Sequence, residues 1–213
     1  MADGTTPGRS TREMRLAALR TAGVVLAGGR SSRLGVEKAL APLAGRPLVA
    51  HVAGRLAPQV DALFLSANGD AARFADLGCA IVADAAPSGG AGPLAGVAAA
   101  LRHAQSLGAA WLATAPCDTP FLPLDLVARL AAAAEAGGAP VAVAASRRGL
   151  EPMFALWSTA LAPEVEAALA AGEGGPRRLI ARLGGAEARF ADADAFANLN
   201  TPEDLAAAAA RLG

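Results

Sequence analysis

The chain has 213 residues, enough for one domain with a buried core, and its 19 Lys and Arg side chains balance its 19 Asp and Glu side chains. A neutral chain has no overall field to attract nucleic acid or an anionic membrane surface, so we expect neither partner. Gly, Pro or charged residues interrupt every apolar stretch before it reaches about twenty residues, which predicts no transmembrane helix. Cys79 and Cys117 are far apart in sequence, so we expect a reducing compartment, the cytoplasm.

Residues 1–20 differ in character from the rest of the chain. They carry four arginines and lack the uninterrupted apolar region of a signal peptide. The sequence therefore predicts a flexible N-terminal tail at residues 1–20, followed by a single domain at residues 21–213.

Short apolar runs alternate with helical stretches from residue 21 onward, which is typical of a doubly wound parallel sheet. The predicted strands are residues 21–27, 62–67, 80–83, 110–115 and 141–145. The predicted helices are residues 47–56, 71–76, 94–106 and 124–136. After Glu151 the alternation changes, and we predict strands at 153–157 and 187–190, a helix at 163–171 and a last helix capped by Thr201. The expected fold class is α/β, a Rossmann-like three-layer sandwich with a mostly parallel sheet.

The first predicted strand leads into a segment rich in glycine and charge, L-A-G-G-R-S-S-R-L-G-V-E-K, at residues 26–38. Glycines such as Gly28 and Gly29 let backbone N–H groups approach phosphate oxygens, and Arg33 and Lys38 add positive charge. The segment lacks the G-K-[ST] of a Walker loop and the G-x-G-x-x-G of a dinucleotide fold. We expect a polyphosphate-binding loop; the alternative is a tight turn with solvated charges.

Polar residues also mark the ends of the next three predicted strands. Ser66, Ala67 and Asn68 end the second strand, Asp84 ends the third and Asp118 follows the fourth. Ligands of open parallel sheets bind beyond the carboxyl ends of the strands, so we expect these residues to form one site. Asp118 is the predicted Mg²⁺ ligand, because this ion is usually held by one or two carboxylates and substrate phosphates. The alternatives are a helix cap for Asp118 and a turn-holding role for Asp84.

Five segments together resemble a known family of enzymes. They are residues 26–38, D-A-A-P-S-G-G-A-G-P-L-A-G at 84–96, P-C-D-T-P-F-L-P at 116–123, E-P-M-F-A-L at 151–156 and N-L-N-T-P-E-D-L at 198–205. The first resembles the signature of sugar-nucleotide-type nucleotidyltransferases. Taken in order, the five are similar to the molybdenum cofactor guanylyltransferases within that superfamily.

This resemblance implies transfer of GMP from GTP to the terminal phosphate of molybdopterin, with release of diphosphate and Mg²⁺ as cofactor. The implied partners are GTP, molybdopterin, and molybdoenzymes or their chaperones that receive the product. The implied catalytic residues are Arg33, Lys38 and Asp118. The implied nucleotide-binding residues are Leu26, Ala27, Gly28, Gly29, Lys38, Ser66, Asn68, Asp84, Gly92, Gly96 and Asp118. The implied pterin-binding residues are Asn198 and Asn200.

Three residues depart from the family pattern. Ser66 stands where these enzymes commonly have asparagine, Glu151 where they often have histidine, and Glu37 where they have aspartate before the lysine. The loop is also one glycine shorter than in some members. An acid such as Glu151 would repel a phosphorylated pterin unless it is turned away or paired. Two other functions stay open at this point: a cytidylyltransferase or other NTP transferase of the same fold, and a catalytically silent relative that binds nucleotide or cofactor.

We predict that the tail is dispensable, because it contains no apolar run that could form a strand of the expected sheet. A chain that starts at Arg20 should keep its melting temperature and its Mg²⁺-dependent activity with GTP. A large fall in melting temperature would show that the tail packs on the domain. Loss of activity alone would place the tail arginines in the substrate site.

Overall fold

The computed structural model of the chain describes residues 20–28, 37–84 and 92–212. The predicted tail lies outside these ranges except for Arg20, whose backbone carbonyl accepts a hydrogen bond of 2.9 Å from the Ala110 N–H. This bond joins the residue before the first strand to the residue before a neighbouring strand. The division of the chain into a tail and one domain stays a prediction.

Nine strands occur in the described ranges, seven in a central sheet and two in a small hairpin. They are β1 (Thr21–Leu26), β2 (Pro42–Leu43), β3 (Arg46–Pro47), β4 (Ala62–Ser66), β5 (Ala80–Val82), β6 (Trp111–Pro116), β7 (Val141–Ser146), β8 (Gly149–Ser158) and β9 (Ala186–Arg189). The order in the sheet is β5-β4-β1-β6-β8-β7-β9, and β2 pairs with β3. Only β8 runs antiparallel to its neighbours in the sheet, which confirms the prediction of a mostly parallel sheet.

Helices cover both faces of the sheet. They are α1 (Leu48–Leu56), α2 (Pro93–Ser106), α3 (Leu126–Gly137), α4 (Ala162–Ala170), α5 (Pro176–Arg182) and α6 (Pro202–Ala210). Short 3-10 helices lie at Lys38–Leu40, Ala57–Gln59, Ala71–Leu77, Thr159–Leu161 and Asp194–Phe196. α1 and α3 pack on one face, and α2, α4 and α5 pack on the other, so the fold is the expected three-layer sandwich. None of the helices in the described ranges is long and apolar enough to cross a membrane.

The β1 strand shows why the central strands are continuous apolar runs. Val25 faces the layer of α1 and α3, while Val24 and Leu26 face the layer of α2. Each of these three side chains is at most 7% exposed. Because both faces of a parallel strand are covered by helices, its sequence has no polar alternation.

The structure differs from the sequence predictions in one strand, one helix and three short elements. The predicted strand at 153–157 is part of the longer β8, which forms a hairpin with β7 through a turn ending at Gly149 (φ +109°). Residues Ala71–Leu77 are a 3-10 helix, capped by Asp70, instead of an α-helix. The β2–β3 hairpin and α5 were not predicted, because two-residue strands and a seven-residue helix are too short to show a period.

Gly92 anchors the start of α2 against a distant loop. Its φ of +69° favours glycine, and a Cβ atom at this position would lie 2.3 Å from the carbonyl oxygen of Gly174. The same oxygen accepts a hydrogen bond of 3.1 Å from the Leu94 N–H. A side chain at Gly92 would therefore force the loop before α5 away from α2.

We expect Gly92→Ala to destabilise the protein by about 2 kcal/mol or more, from backbone strain and the clash with Gly174. Gly54→Ala is the matched control, because Gly54 lies in α1 and a Cβ there meets nothing within 4 Å. That control should be neutral or stabilise the protein by roughly 0.5–1 kcal/mol. Denaturant unfolding of both variants measures the difference, and equal stabilities would contradict the proposed contact.

Candidate active site

The carboxyl ends of four parallel strands meet at one edge of the sheet. The ladder continues one residue past three of them, with hydrogen bonds from the Ala27 N–H to Ser66 O (2.8 Å), from Ala67 N–H to Val82 O (3.0 Å) and from Cys117 N–H to Leu26 O (3.1 Å). This register places the residues that follow β1, β4, β5 and β6 side by side. The convergence expected from the sequence is therefore present in the structure.

The first group of polar side chains at this edge consists of Ser66, Asn68 and Asp84, here called the Asp84 cluster. Ser66 Oγ donates to Asp84 Oδ1 (2.8 Å), and Asn68 Nδ2 donates to Asp84 Oδ2 (2.9 Å). The Asp84 N–H donates in return to Asn68 Oδ1 (3.0 Å). Both oxygens of the carboxylate thus accept from neutral donors, which fixes its orientation.

Two glycines approach this carboxylate closely. A Cβ atom at Gly28 would lie 3.2 Å from Asp84 Oδ2, and one at Gly96 would lie 3.0 Å from Ser66 Oγ and 3.2 Å from Asp84 Oδ1. Side chains at these positions would crowd the Asp84 cluster. Gly28 and Gly96 therefore leave room for it between β1 and α2, as expected for glycines in a ligand site.

The second group consists of Lys38, Asp118 and Asn200, here called the Lys38 cluster. The ammonium of Lys38 donates hydrogen bonds to Asp118 Oδ2 and to Asn200 Oδ1. The side chains of Lys38 and Asp118 are only 18% and 11% exposed. Partial burial of this ion pair reduces its screening by solvent, so the attraction between its two charges is stronger than in a fully exposed pair.

The C-terminal segment is held in this cluster by backbone contacts. The Leu199 N–H donates to the carbonyl of Asp118 (2.9 Å), and Thr201 caps α6 in a capping box with Asp204. The backbone N–H groups of Asn200 (2.8 Å) and Thr201 (2.9 Å) donate to the Asp204 carboxylate and lower its pKa. Asn200 is therefore positioned by the start of α6.

Asp118 retains one buried oxygen that has no partner among the described residues. Its Oδ1 atom accepts no hydrogen bond from them, although it is inaccessible to solvent. An unpartnered buried carboxylate oxygen is costly unless a cation or donor binds there, so the residue fits Mg²⁺. The described residues contain no group of three or more His, Cys, Asp or Glu that could hold a metal. The alternative role of helix cap is wrong, because α3 begins at Leu126 with Asp125 at its N-cap position.

The neighbouring Cys117 is poorly suited to acid–base or nucleophilic chemistry. Burial, reinforced by the Asp118 carboxylate, raises the pKa of Cys117 to about 12. The thiol therefore stays neutral near pH 7, and a neutral thiol is a poor nucleophile.

Other residues of the sequence-predicted site lie apart from the two clusters or outside the described ranges. Leu26 and Ala27 are buried at the end of β1, where their backbone continues the ladder. Gly92 contacts Gly174, and Asn198 is exposed and makes no hydrogen bond with the described residues. Gly29 and Arg33 lie outside the described residues.

Glu151 is paired with a neighbouring strand. Ser146 Oγ donates to Glu151 Oε1 (2.8 Å) and accepts from the Arg148 N–H (3.0 Å). The guanidinium of Arg148 in turn donates to Asp194 (2.6 Å). The carboxylate of Glu151 is thus held by a neutral hydroxyl of the β7–β8 hairpin, which fixes its orientation and leaves its negative charge in place.

Comparison with known proteins decides the family. Residues 23–188 match the family model of the MobA-like NTP transferase domain. The chain belongs to this family. It is 50% identical over 195 residues to a molybdenum cofactor guanylyltransferase of Cereibacter sphaeroides, a match covering 91% of this chain and 98% of that protein. It is 47% identical over 200 residues to the enzyme of the same name from Burkholderia orbicola, covering 89% and 96%.

A solved structure agrees with this membership. Molybdopterin-guanine dinucleotide biosynthesis protein A from Archaeoglobus fulgidus superposes with a TM-score of 0.70 at 25% identity, covering 90% of this chain and 98% of that one. The predicted family, the nucleotidyltransferase class and the Rossmann-like fold are confirmed. The roles assigned to single residues of this MobA-like chain stay predictions.

We expect Lys38→Ala and Asp118→Ala each to lower nucleotidyl transfer roughly 10²–10³-fold, because each removes a charge placed beside the reacting phosphates. The double variant should lose little more than the worse single variant, since the two side chains are partners. Single-turnover rates with saturating nucleotide measure both effects.

Asp125→Ala is the control for this pair, because Asp125 is an exposed carboxylate seven residues after Asp118 that forms an ion pair with Arg129 at 3.7 Å and belongs to neither cluster. Its rate should equal that of the unaltered protein. Wild-type turnover in either single variant, or unfolding of both by thermal melt, would refute the assigned roles.

Proposed function

We propose that this chain transfers the GMP moiety of GTP to the terminal phosphate of molybdopterin. An oxygen of that phosphate bonds to the α-phosphorus of GTP, the bond from the α-phosphorus to the bridging oxygen breaks, and diphosphate leaves with that oxygen. The observation that carries the proposal is the Lys38 cluster, where a lysine, a carboxylate with a free oxygen and a C-terminal asparagine meet. The names of the relatives at 47–50% identity support the choice of guanine nucleotide and molybdopterin.

The reaction needs no general base from the protein. A phosphomonoester has a second pKa near 6, so about nine-tenths of it is already dianionic at pH 7. His51 is engaged with the Leu43 carbonyl (2.8 Å), and His103 packs edge-on against Phe64. Neither histidine belongs to the Asp84 or Lys38 cluster, which agrees with chemistry that depends on positioning and electrostatics.

The obstacle to the reaction is repulsion between an anionic nucleophile and an anionic triphosphate. Lys38 offers a compact positive charge for phosphate oxygens, and Asp118 would hold Mg²⁺ through its free Oδ1. When bound, Mg²⁺ neutralises phosphate charge and supports the leaving diphosphate. Asn200 keeps the Lys38 ammonium at the carboxylate before substrates arrive.

Asp84 is the group in the described site best suited to select guanine. The Watson–Crick edge of guanine presents two adjacent N–H donors, and an oriented carboxylate accepts two parallel hydrogen bonds. Cytosine and uracil present one donor beside an acceptor on that edge, which would face the carboxylate unpaired. Ser66, replacing the asparagine common in the family, still donates to Asp84 and so preserves the orientation.

The pterin side of the proposal is assigned to Asn198 and Asn200, on either side of the buried Leu199. Delivery of the product to molybdoenzymes or their chaperones and a cytoplasmic location stay predictions from the sequence. A cytidylyltransferase or a silent relative would be the function if the following test failed.

The deciding experiment measures diphosphate release from each of the four NTPs with molybdopterin, with and without Mg²⁺. We expect GTP to exceed CTP, ATP and UTP by on the order of 10²-fold in kcat/KM, and release to stop without Mg²⁺. Asp84→Asn should reduce the preference for GTP over CTP, because an amide offers a donor where the carboxylate offered an acceptor. Glu187→Gln, an exposed change on β9, should leave the preference unaltered.

Each other result has a defined meaning. Equal or better turnover with CTP would make the protein a cytidylyltransferase. Tight GTP binding without diphosphate release would make it a silent relative. An unchanged nucleotide preference in Asp84→Asn would show that another group reads the base.

A further inference from the structure

Arg73 connects the surroundings of the two clusters. It lies on the 3-10 helix Ala71–Leu77 and directs its guanidinium in three directions. Nη2 donates to the Asn68 carbonyl (2.8 Å), Nε donates to the Asp70 carbonyl (2.9 Å), and Nη1 donates to the Glu37 carboxylate. Arg73 therefore joins the turn after β4 to the residue that immediately precedes Lys38.

Both ends of this connection continue into the site. On one side, the side chain of Asn68 exchanges hydrogen bonds with Asp84. On the other side, the Glu37 carbonyl accepts from the Leu40 N–H (2.9 Å), which closes the 3-10 turn that carries Lys38. A displacement of Arg73 would therefore move Asn68, which belongs to the Asp84 cluster, and Glu37, which is covalently bonded to Lys38.

The surrounding backbone leaves room for this guanidinium. Gly69 has φ +87°, and a Cβ atom there would lie 2.9 Å from Arg73 Nη2. The side chains of Arg73 and Glu37 are 35% and 24% exposed, so the ion pair is partly shielded from water. The planar guanidinium directs its N–H groups to two carbonyls and a carboxylate at once. A lysine ammonium is a single compact donor group and cannot reach all three acceptors.

We propose that Arg73 is a positioning residue that fixes Lys38 relative to the Asp84 cluster before the nucleotide binds. This inference rests on the proposed function, because it assumes that one GTP spans both clusters, with its base at Asp84 and its phosphates at Lys38. A nucleotide that must bridge two sites binds more weakly when their separation is not fixed in advance. Loss of Arg73 therefore weakens nucleotide binding more than it slows transfer.

The test uses four variants of the full chain. Arg73→Met removes all three polar contacts and keeps the apolar stem, Arg73→Lys keeps the charge, and Glu37→Gln removes only the ion pair. The control is Arg102→Met, because Arg102 also pairs with a carboxylate, making two hydrogen bonds to Glu166 (2.6 and 2.5 Å), but does so between α2 and α4 and belongs to neither cluster. Amide hydrogen exchange of residues 38–41 and 66–70 in the free protein and steady-state kinetics with GTP are the measurements.

We expect Arg73→Met to speed exchange in both segments and to raise the KM for GTP about tenfold with kcat changed less than threefold. Arg73→Lys and Glu37→Gln should give intermediate shifts, and Arg102→Met should change neither segment nor KM. The Glu37→Gln variant, which leaves both backbone contacts of Arg73 intact, provides the test if Arg73→Met fails to fold.

Three results would overturn the inference: faster exchange in only one segment or in neither, a fall in kcat without a change in KM, or the same KM shift in Arg102→Met. Failure of the proposed function has a different signature. If the unaltered protein neither binds nor turns over GTP, that function is wrong, while the exchange data on the free protein still decide whether Arg73 joins the two segments.

Discussion

The contact of the Lys38 ammonium with Asp118 and Asn200 is the interaction on which the candidate site depends. It joins residues separated by 80 and 162 positions in the sequence. The sheet makes this possible, because β1 and β6 are parallel neighbours whose carboxyl ends lie together. The capping box at the start of α6 brings the third partner to the same place. Without these two structural elements, a lysine, a carboxylate and an amide would be unrelated surface groups.

Two carboxylates at the same edge acquire different chemistry from their partners. Asp84 accepts from a hydroxyl and a side-chain amide, both neutral, and lies beside two glycines that leave space around it. Asp118 faces a cation with one oxygen, and its other oxygen has no hydrogen-bond partner in the described part of the chain. The first arrangement orients an acceptor for a ligand with N–H or O–H donors. The second leaves coordination capacity for a divalent ion. Under the proposed function, the first cluster would bind the nucleoside and the second the phosphates.

Much of this arrangement follows from the sequence, and the exceptions have identifiable causes. Apolar strands with Ser66, Asp84 and Asp118 at or just after their carboxyl ends predict a parallel sheet with polar groups at one edge. These features can be predicted because an apolar run and the polar residue that ends it lie within a few neighbouring positions of the sequence. The antiparallel insertion of β8 between β6 and β7 was not predicted, since pairing partners are set by long-range packing. Arg73 was missed for a related reason: its role depends on Glu37, 36 residues earlier, and an arginine in a short helix carries no signal of that contact.

The charge of the candidate site decides how it could attract a triphosphate. The chain is formally neutral, so attraction of a triphosphate must come from local charge. Within the Lys38 cluster, however, the ammonium is compensated by Asp118, and Asn200 contributes only a dipole. The cluster by itself therefore has little net charge to offer to phosphates. A divalent cation at the free oxygen of Asp118 would change the sum from zero to plus two, leaving Lys38 available to phosphate oxygens. The pairing that positions Lys38 in the free protein is thus also a physical reason for the site to require a metal.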